Sequence, residues 1–101
     1  MALKGIVIDP GHGGTDPGAV SNGLKEKDFT LRISKYMYDR LKELGVPVRL
    51  TRDSDVTLTP KERINKVQSF FGDSKDVVVV SNHLNAGGGT SFYVINLSAS
   101  V

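Results

Sequence analysis

The sequence predicts an α/β fold, a mainly parallel sheet with flanking helices. Three observations carry this reading. Short apolar, β-branched runs recur at Leu3–Asp9 and Val77–Asn82, with an alternating stretch, Val46, Val48 and Leu50, between them. An amphipathic pattern of helical period separates each run from the next. The resulting β–α–β–α–β order makes the first three strands parallel, with right-handed crossovers.

The first strand, Leu3 to Asp9, stops at Pro10-Gly11. From Gly13 to Gly23 the chain is rich in glycine and also holds Asp16, Pro17 and Asn22, which predicts a long, functional loop. Phe29, Ile33, Tyr36, Met37, Leu41 and Leu44 then recur at helical spacing and predict a helix over Asp28–Leu44. Gly45 supplies its C-terminal cap and Pro47 prevents continuation. Because Pro47 cannot donate to a ladder, it belongs at the start of the second strand or on a sheet edge.

Thr59-Pro60-Lys61-Glu62 is a capping box with proline at the first helical position. It opens a helix over Pro60–Phe71 whose apolar stripe is Ile64, Val67, Phe70 and Phe71, ending at Gly72. Val77 to Asn82 is apolar almost throughout, as expected of a central strand buried on both faces. After Gly87-Gly88-Gly89, Ser91–Ile95 predicts a fourth strand. The connection to it is too short for a crossover helix, so this strand is antiparallel or only adjacent.

The 101 residues suffice for one small domain, and 39% hydrophobic with 24% charged content is ordinary for a globular chain. No run is long and apolar enough to span a membrane, and the N-terminus lacks the shape of a signal peptide. The absence of cysteine excludes a thiolate metal cage, a disulfide scaffold and a cysteine nucleophile. Net charge is +2, and the basic residues are scattered among acids, as in Lys25-Glu26-Lys27-Asp28 and Lys61-Glu62-Arg63. Without a basic stripe or stacking aromatics, nucleic acid is not an expected partner.

The chemistry centres on the two histidines, His12 and His83, each at the end of an apolar strand. In a parallel arrangement both imidazoles emerge at the same sheet edge, where open α/β sheets place their ligand sites. His12 is flanked by Gly11, Gly13 and Gly14, which offer it no apolar pocket. His83 alone reads equally as a ligand or as a ring bonded to a neighbouring carbonyl. Glu26, in Gly23-Leu24-Lys25-Glu26-Lys27, reads alone as a solvated cap. Together the three are a donor set of the kind zinc takes at a catalytic site, leaving a fourth position for a water whose pKa zinc lowers to about 7. A phosphate-loop reading of Gly11-His12-Gly13-Gly14 fails because no Gly-Lys-Ser or Gly-Lys-Thr follows. A serine triad through Ser81 fails because no nucleophile elbow surrounds any serine.

The segments Ile8-Asp9-Pro10-Gly11-His12-Gly13-Gly14, Gly23-Leu24-Lys25-Glu26-Lys27, Leu50-Thr51-Arg52 and Ser81-Asn82-His83-Leu84-Asn85-Ala86 stand in the order seen in zinc-dependent N-acetylmuramoyl-L-alanine amidases. The chain resembles that family from about Gly5 to about Tyr93. The resemblance implies that His12, Glu26 and His83 hold Zn2+. It implies peptidoglycan as substrate, cut at the amide between the muramic acid lactyl group and L-alanine. It also implies a site of action in the cell wall or outside the cell. An autolysin, a sporulation enzyme and a phage endolysin are all compatible parents.

These amidases resemble one another also in a second half, which carries a glutamate serving as acid/base. By the resemblance that residue lies beyond Val101, so residues 1–101 are expected to form a single incomplete catalytic domain, truncated relative to the family's. Turnover is expected to be weak unless Asp9, Asp16 or water substitutes, and the fold to be marginal or oligomeric. The alternative is a non-catalytic zinc-containing peptidoglycan-binding module or an inactive fragment. Asn85, after a ligand at the mouth of the site, reads as a substrate contact or as a side-chain cap on the glycine run.

Overall fold

Strand β1 spans Gly5–Pro10 and lies at the centre of the molecule, with five of its six residues buried. The computed structural model describes residues 3–72, 76–84 and 90–96, the last stretch by its backbone. After β1 come two short strands, β2 (Val20–Ser21) and β3 (Leu24–Lys25), which pair antiparallel as a small hairpin. Helix α1 (Glu26–Glu43), edge strand β4 (Val48–Leu50) and helix α2 (Pro60–Phe71) follow. Strands β5 (Val77–Leu84) and β6 (Thr90–Asn96) complete the described chain.

The main sheet has the order β4-β1-β5-β6. Its first three strands are parallel, with Ile8 opposite both Leu50 and Val80, and β6 runs antiparallel to β5. This is the predicted architecture, and of the two readings left open for the fourth strand, antiparallel or only adjacent, the antiparallel one holds. Pro47 sits immediately before edge strand β4, where its missing N–H is harmless, and its carbonyl still accepts from Ile6 N.

Side-chain alternation sorts the sheet into two faces. Val7, Val77 and Val79 turn toward α2 and form the main apolar cluster with Val67, flanked by Phe70 and Phe71. On the same face Asp9 is buried and fully engaged: its carboxylate accepts from Thr51 Oγ1 at 2.7 Å, Arg63 Nη1 at 2.6 Å and Ser81 Oγ at 2.9 Å. The other face receives α1, where Asn82 Nδ2 donates to Ser34 Oγ at 2.6 Å.

Several sequence expectations need correction. Leu3 is exposed, and β1 begins at Gly5. The glycine-rich stretch is not loop throughout, because the β2–β3 hairpin folds within and just beyond it. Helix α1 starts at Glu26 rather than Asp28, its first amides being capped by the loop: Glu26 N donates to Ala19 O and Lys27 N to Pro17 O. The predicted stripe on α1 is turned partly away from the sheet. Tyr36 and Leu44 are 73% and 60% exposed, and Thr30 and Ser34 are buried in their place, because this part of the sheet presents polar groups. Ile64 is exposed too, leaving Val67 as the buried residue of α2. The capping box of α2 forms as predicted, with Thr59 and Glu62 bonding reciprocally.

Candidate metal centre

His12 leaves the C-terminal end of β1 in a left-handed conformation, φ 64°. For a residue with a Cβ this costs about 1–2 kcal/mol and needs support from its surroundings. The support comes from a continuous series of bonds to the loop's carbonyls. Pro10 O accepts from Arg63 Nη1 at 2.8 Å, and Gly11 O accepts from Arg52 Nη2 at 3.0 Å and Thr30 Oγ1 at 2.7 Å. His12 O accepts from Arg63 Nη2 at 3.1 Å, Gly13 O from Asp16 N at 3.0 Å, and Gly14 O from Lys27 Nζ at 2.9 Å. A second loop closes over the first: Gly14 N donates to Asp55 Oδ1 at 2.7 Å and Thr15 N to Thr57 Oγ1 at 2.9 Å.

Glu26 is the first residue of α1 and only 5% exposed. Its Oε1 accepts from Ala19 N at 2.9 Å and its Oε2 from Leu84 N at 3.0 Å. Burial alone would push this carboxyl up. The Ala19 and Leu84 amides and the two imidazoles outweigh it, and the group stays below its usual range, ionised at neutral pH.

His83 lies near the end of β5, one strand away from His12. The two rings meet edge to face with centroids 5.1 Å apart. One ligand atom from each of His12, Glu26 and His83 lies within 4.8 Å of the others. Missing side chains make this convergence possible. A Cβ on Gly11 would come within 2.6 Å of the His83 ring, and one on Gly18 within 2.6 Å of the His12 ring and 2.7 Å of Glu26 Oε1.

The donor set fits a small tetrahedral cation. His12 Nδ1 lies 2.9 Å from Asp16 Oδ2. The His12 hydrogen bond, with the Gly18 amide adding to it, holds the Asp16 carboxyl below its ordinary value. An ionised carboxylate only accepts, so Nδ1 donates to Asp16, and Nε2 is the ring atom turned inward toward Glu26. That atom stands 3.0 Å from Glu26 Oε2, and His83 Nδ1 stands 3.5 Å from the same oxygen. Two electron-rich atoms at this range repel unless a positive charge, a ring proton or a metal ion, lies with them. Donors about 2.0–2.1 Å from a tetrahedral zinc are themselves about 3.3 Å apart, and the two histidine–Glu26 separations fall on either side of that value. The imidazoles are partly exposed, at 25% and 33%, while Glu26 is covered, so the cluster opens to solvent on the histidine side.

The structure thus brings His12, Glu26 and His83 together. Glu26 is a buried helical residue and not a solvated cap. Asp9, read as a possible acid/base substitute, is buried and engaged in three hydrogen bonds, and Asp16 is bonded to His12. Asn85 lies outside the described residues. Sequence reasoning missed the cations that shape the loop. Lys27 and Arg52 are 8% and 2% exposed and are not members of a scattered solvated set. The position of Arg52 just after β4, on the same sheet edge as both histidines, is the signal that could have found it.

Comparison with known proteins identifies the family. The family model described as N-acetylmuramoyl-L-alanine amidase matches residues 6–99. A sporulation-specific N-acetylmuramoyl-L-alanine amidase of Bacillus subtilis is 43% identical over 89 residues, which cover 86% of this chain and 33% of that protein. An endolysin of Bacillus phage SPP1 is 43% identical over 91 residues, covering 88% and 32%. The structure of the amidase AmiC2 of Nostoc punctiforme superposes with a TM-score of 0.71 at 38% identity, covering 84% of this chain and 46% of that one. The chain therefore spans less than half the length of these relatives. By the match over residues 6–99, it belongs to the N-acetylmuramoyl-L-alanine amidase family.

Proposed function

We infer that residues 1–101 carry the zinc-binding part of a peptidoglycan amidase catalytic domain, with His12, Glu26 and His83 as the protein ligands. The reaction assigned to the site is hydrolysis of the amide joining N-acetylmuramic acid to L-alanine, acting on the cell wall. The observation that carries this reading is the convergence of two imidazoles and one ionised, buried carboxylate within 4.8 Å at the open edge of the sheet. Zinc held there supplies Lewis-acid polarisation of a carbonyl and a nucleophile at neutral pH.

The chain's own residues prepare that chemistry. Asp16 fixes the His12 tautomer, and the Ala19 and Leu84 amides orient both oxygens of Glu26. The partly exposed imidazoles leave a side from which a polymer strand can approach. Amide cleavage also requires a proton on the departing amine. The carboxylates of Asp9 and Asp16 are already engaged. That engagement favours a second reading for these residues, a zinc-containing peptidoglycan-binding module with little turnover of its own.

Incubating the zinc-loaded chain with purified cell wall and measuring newly freed L-alanine amines separates the two. General acid–base help is worth about 10²–10⁴-fold, so the 101-residue chain should run at least a hundredfold below a full-length relative. The rate should rise when the relative's C-terminal half is supplied. A rate equal to the full-length enzyme's would require an acid within this chain, Asp16 being the nearest. Zinc-dependent retention on cell wall with no amine release, even after supplementation, would favour the binding module.

A further inference from the structure

We propose that Arg63 is a positioning residue for the metal centre, locking the backbone of His12 so that its ring faces Glu26 and His83. This rests on the zinc reading above. The left-handed conformation of His12 is defined by two peptide planes, one on each side of it. The plane before it is held through Gly11 O by Arg52 Nη2 and Thr30 Oγ1. The plane after it is held through His12 O by Arg63 Nη2, whose partner Nη1 reaches Pro10 O and Asp9 Oδ1.

The planar fork of Arg63 therefore spans the chain on both sides of Gly11-His12, anchored on a buried carboxylate of β1. Among the described residues, no other side chain of α2 is bonded to this loop. A guanidinium suits the task because it offers several donors in one rigid plane, whereas an ammonium is a point charge. Without it, the His12 peptide is free to leave a conformation that a residue with a Cβ otherwise avoids, and Nε2 loses its aim. Residues that orient metal ligands typically change affinity about 10–100-fold when replaced.

The test uses the 101-residue chain and its Arg63→Gln and Arg63→Lys variants, with Arg40→Gln as a control at an exposed pair with Glu43. Zinc affinity is measured by competition with a chromophoric chelator, at a temperature where circular dichroism shows each metal-free chain folded. The visible spectrum of the cobalt(II)-substituted chain reports ligand geometry. The expected result is a loss of zinc affinity of about 10–100-fold in Arg63→Gln, a smaller loss in Arg63→Lys, and an altered cobalt spectrum in both. The Arg40→Gln control should match wild type.

A purely structural Arg63 would lower the melting temperature and leave the affinity and the cobalt spectrum of the folded chain unchanged, which would overturn the proposal. Should Arg63→Gln not fold, Arg63→Lys, which keeps a cation beside Asp9, decides on the same readouts. If the wild-type chain takes up no zinc, the zinc reading itself falls and takes this proposal with it. Zinc uptake by wild type with unchanged affinity in both Arg63 variants overturns this proposal alone.

Discussion

At Gly18 the backbone passes so close to the His12–Glu26–His83 cluster that a methyl group would strike both the His12 ring and Glu26 Oε1, and φ is +68°. Gly18→Ala should therefore weaken zinc binding by about tenfold or more while leaving helical content unchanged, as ligand-orienting changes do. Chelator competition and circular dichroism check it. A second residue-scale effect concerns acid. The hydrogen bond from Lys27, with the Gly14 amide, holds the exposed Asp55 carboxyl below its ordinary value of 3.8. A carboxylate depressed in the folded state contributes stability that is complete above its ordinary value and is lost as pH falls through its folded value. The melting temperature should fall as pH drops below about 4, and Asp55→Asn should make that acid limb shallower. An identical acid limb in the variant would contradict the clamp between the two loops. The roles of Lys27, Arg52 and Arg63 were not legible in the sequence because the groups they hold are backbone carbonyls 13 to 53 positions away. The histidines were legible because each closes an apolar run, and strand alternation then fixes where the ring emerges.

Among the elements, the helix boundaries depended on what caps them. The start of α2 was readable from Thr59-Pro60-Lys61-Glu62 because the cap is local, side chain to backbone within three residues. Thr59→Ala should cost about 1 kcal/mol, a fall of about 4–8 °C in melting temperature for a domain of this size. A scan of both proteins measures it. The start of α1 was not readable, since its cap is the carbonyls of Pro17 and Ala19, placed there by the folded loop. That displacement places Glu26 inside the first turn rather than ahead of it, where its carboxylate meets the loop and the end of β5. The buried face of α1 was also misjudged. Periodicity favoured Tyr36 and Leu44, but hydroxyls at Thr30 and Ser34 match a sheet face that presents Gly11 O and Asn82.

At the scale of the whole molecule, the sheet is parallel through β4, β1 and β5, and both histidines leave it at one edge, a topology predictable from the order of elements. What order and periodicity alone do not convey is how closely the edge is drawn together, because this depends on glycines at Gly11 and Gly18 and on long-range cation–carbonyl bonds. A metal that binds only the folded chain adds about 2.7 kcal/mol at a hundredfold excess over Kd, so a chelator should lower the melting temperature of the zinc-loaded protein clearly. The most direct measurement of the central claim is a zinc titration of wild type beside His12→Ala, Glu26→Gln and His83→Ala, each shown to be folded. The account predicts one zinc per wild-type chain and a loss of affinity by orders of magnitude in each variant. Equal stoichiometry and affinity in wild type, His12→Ala and His83→Ala would contradict it.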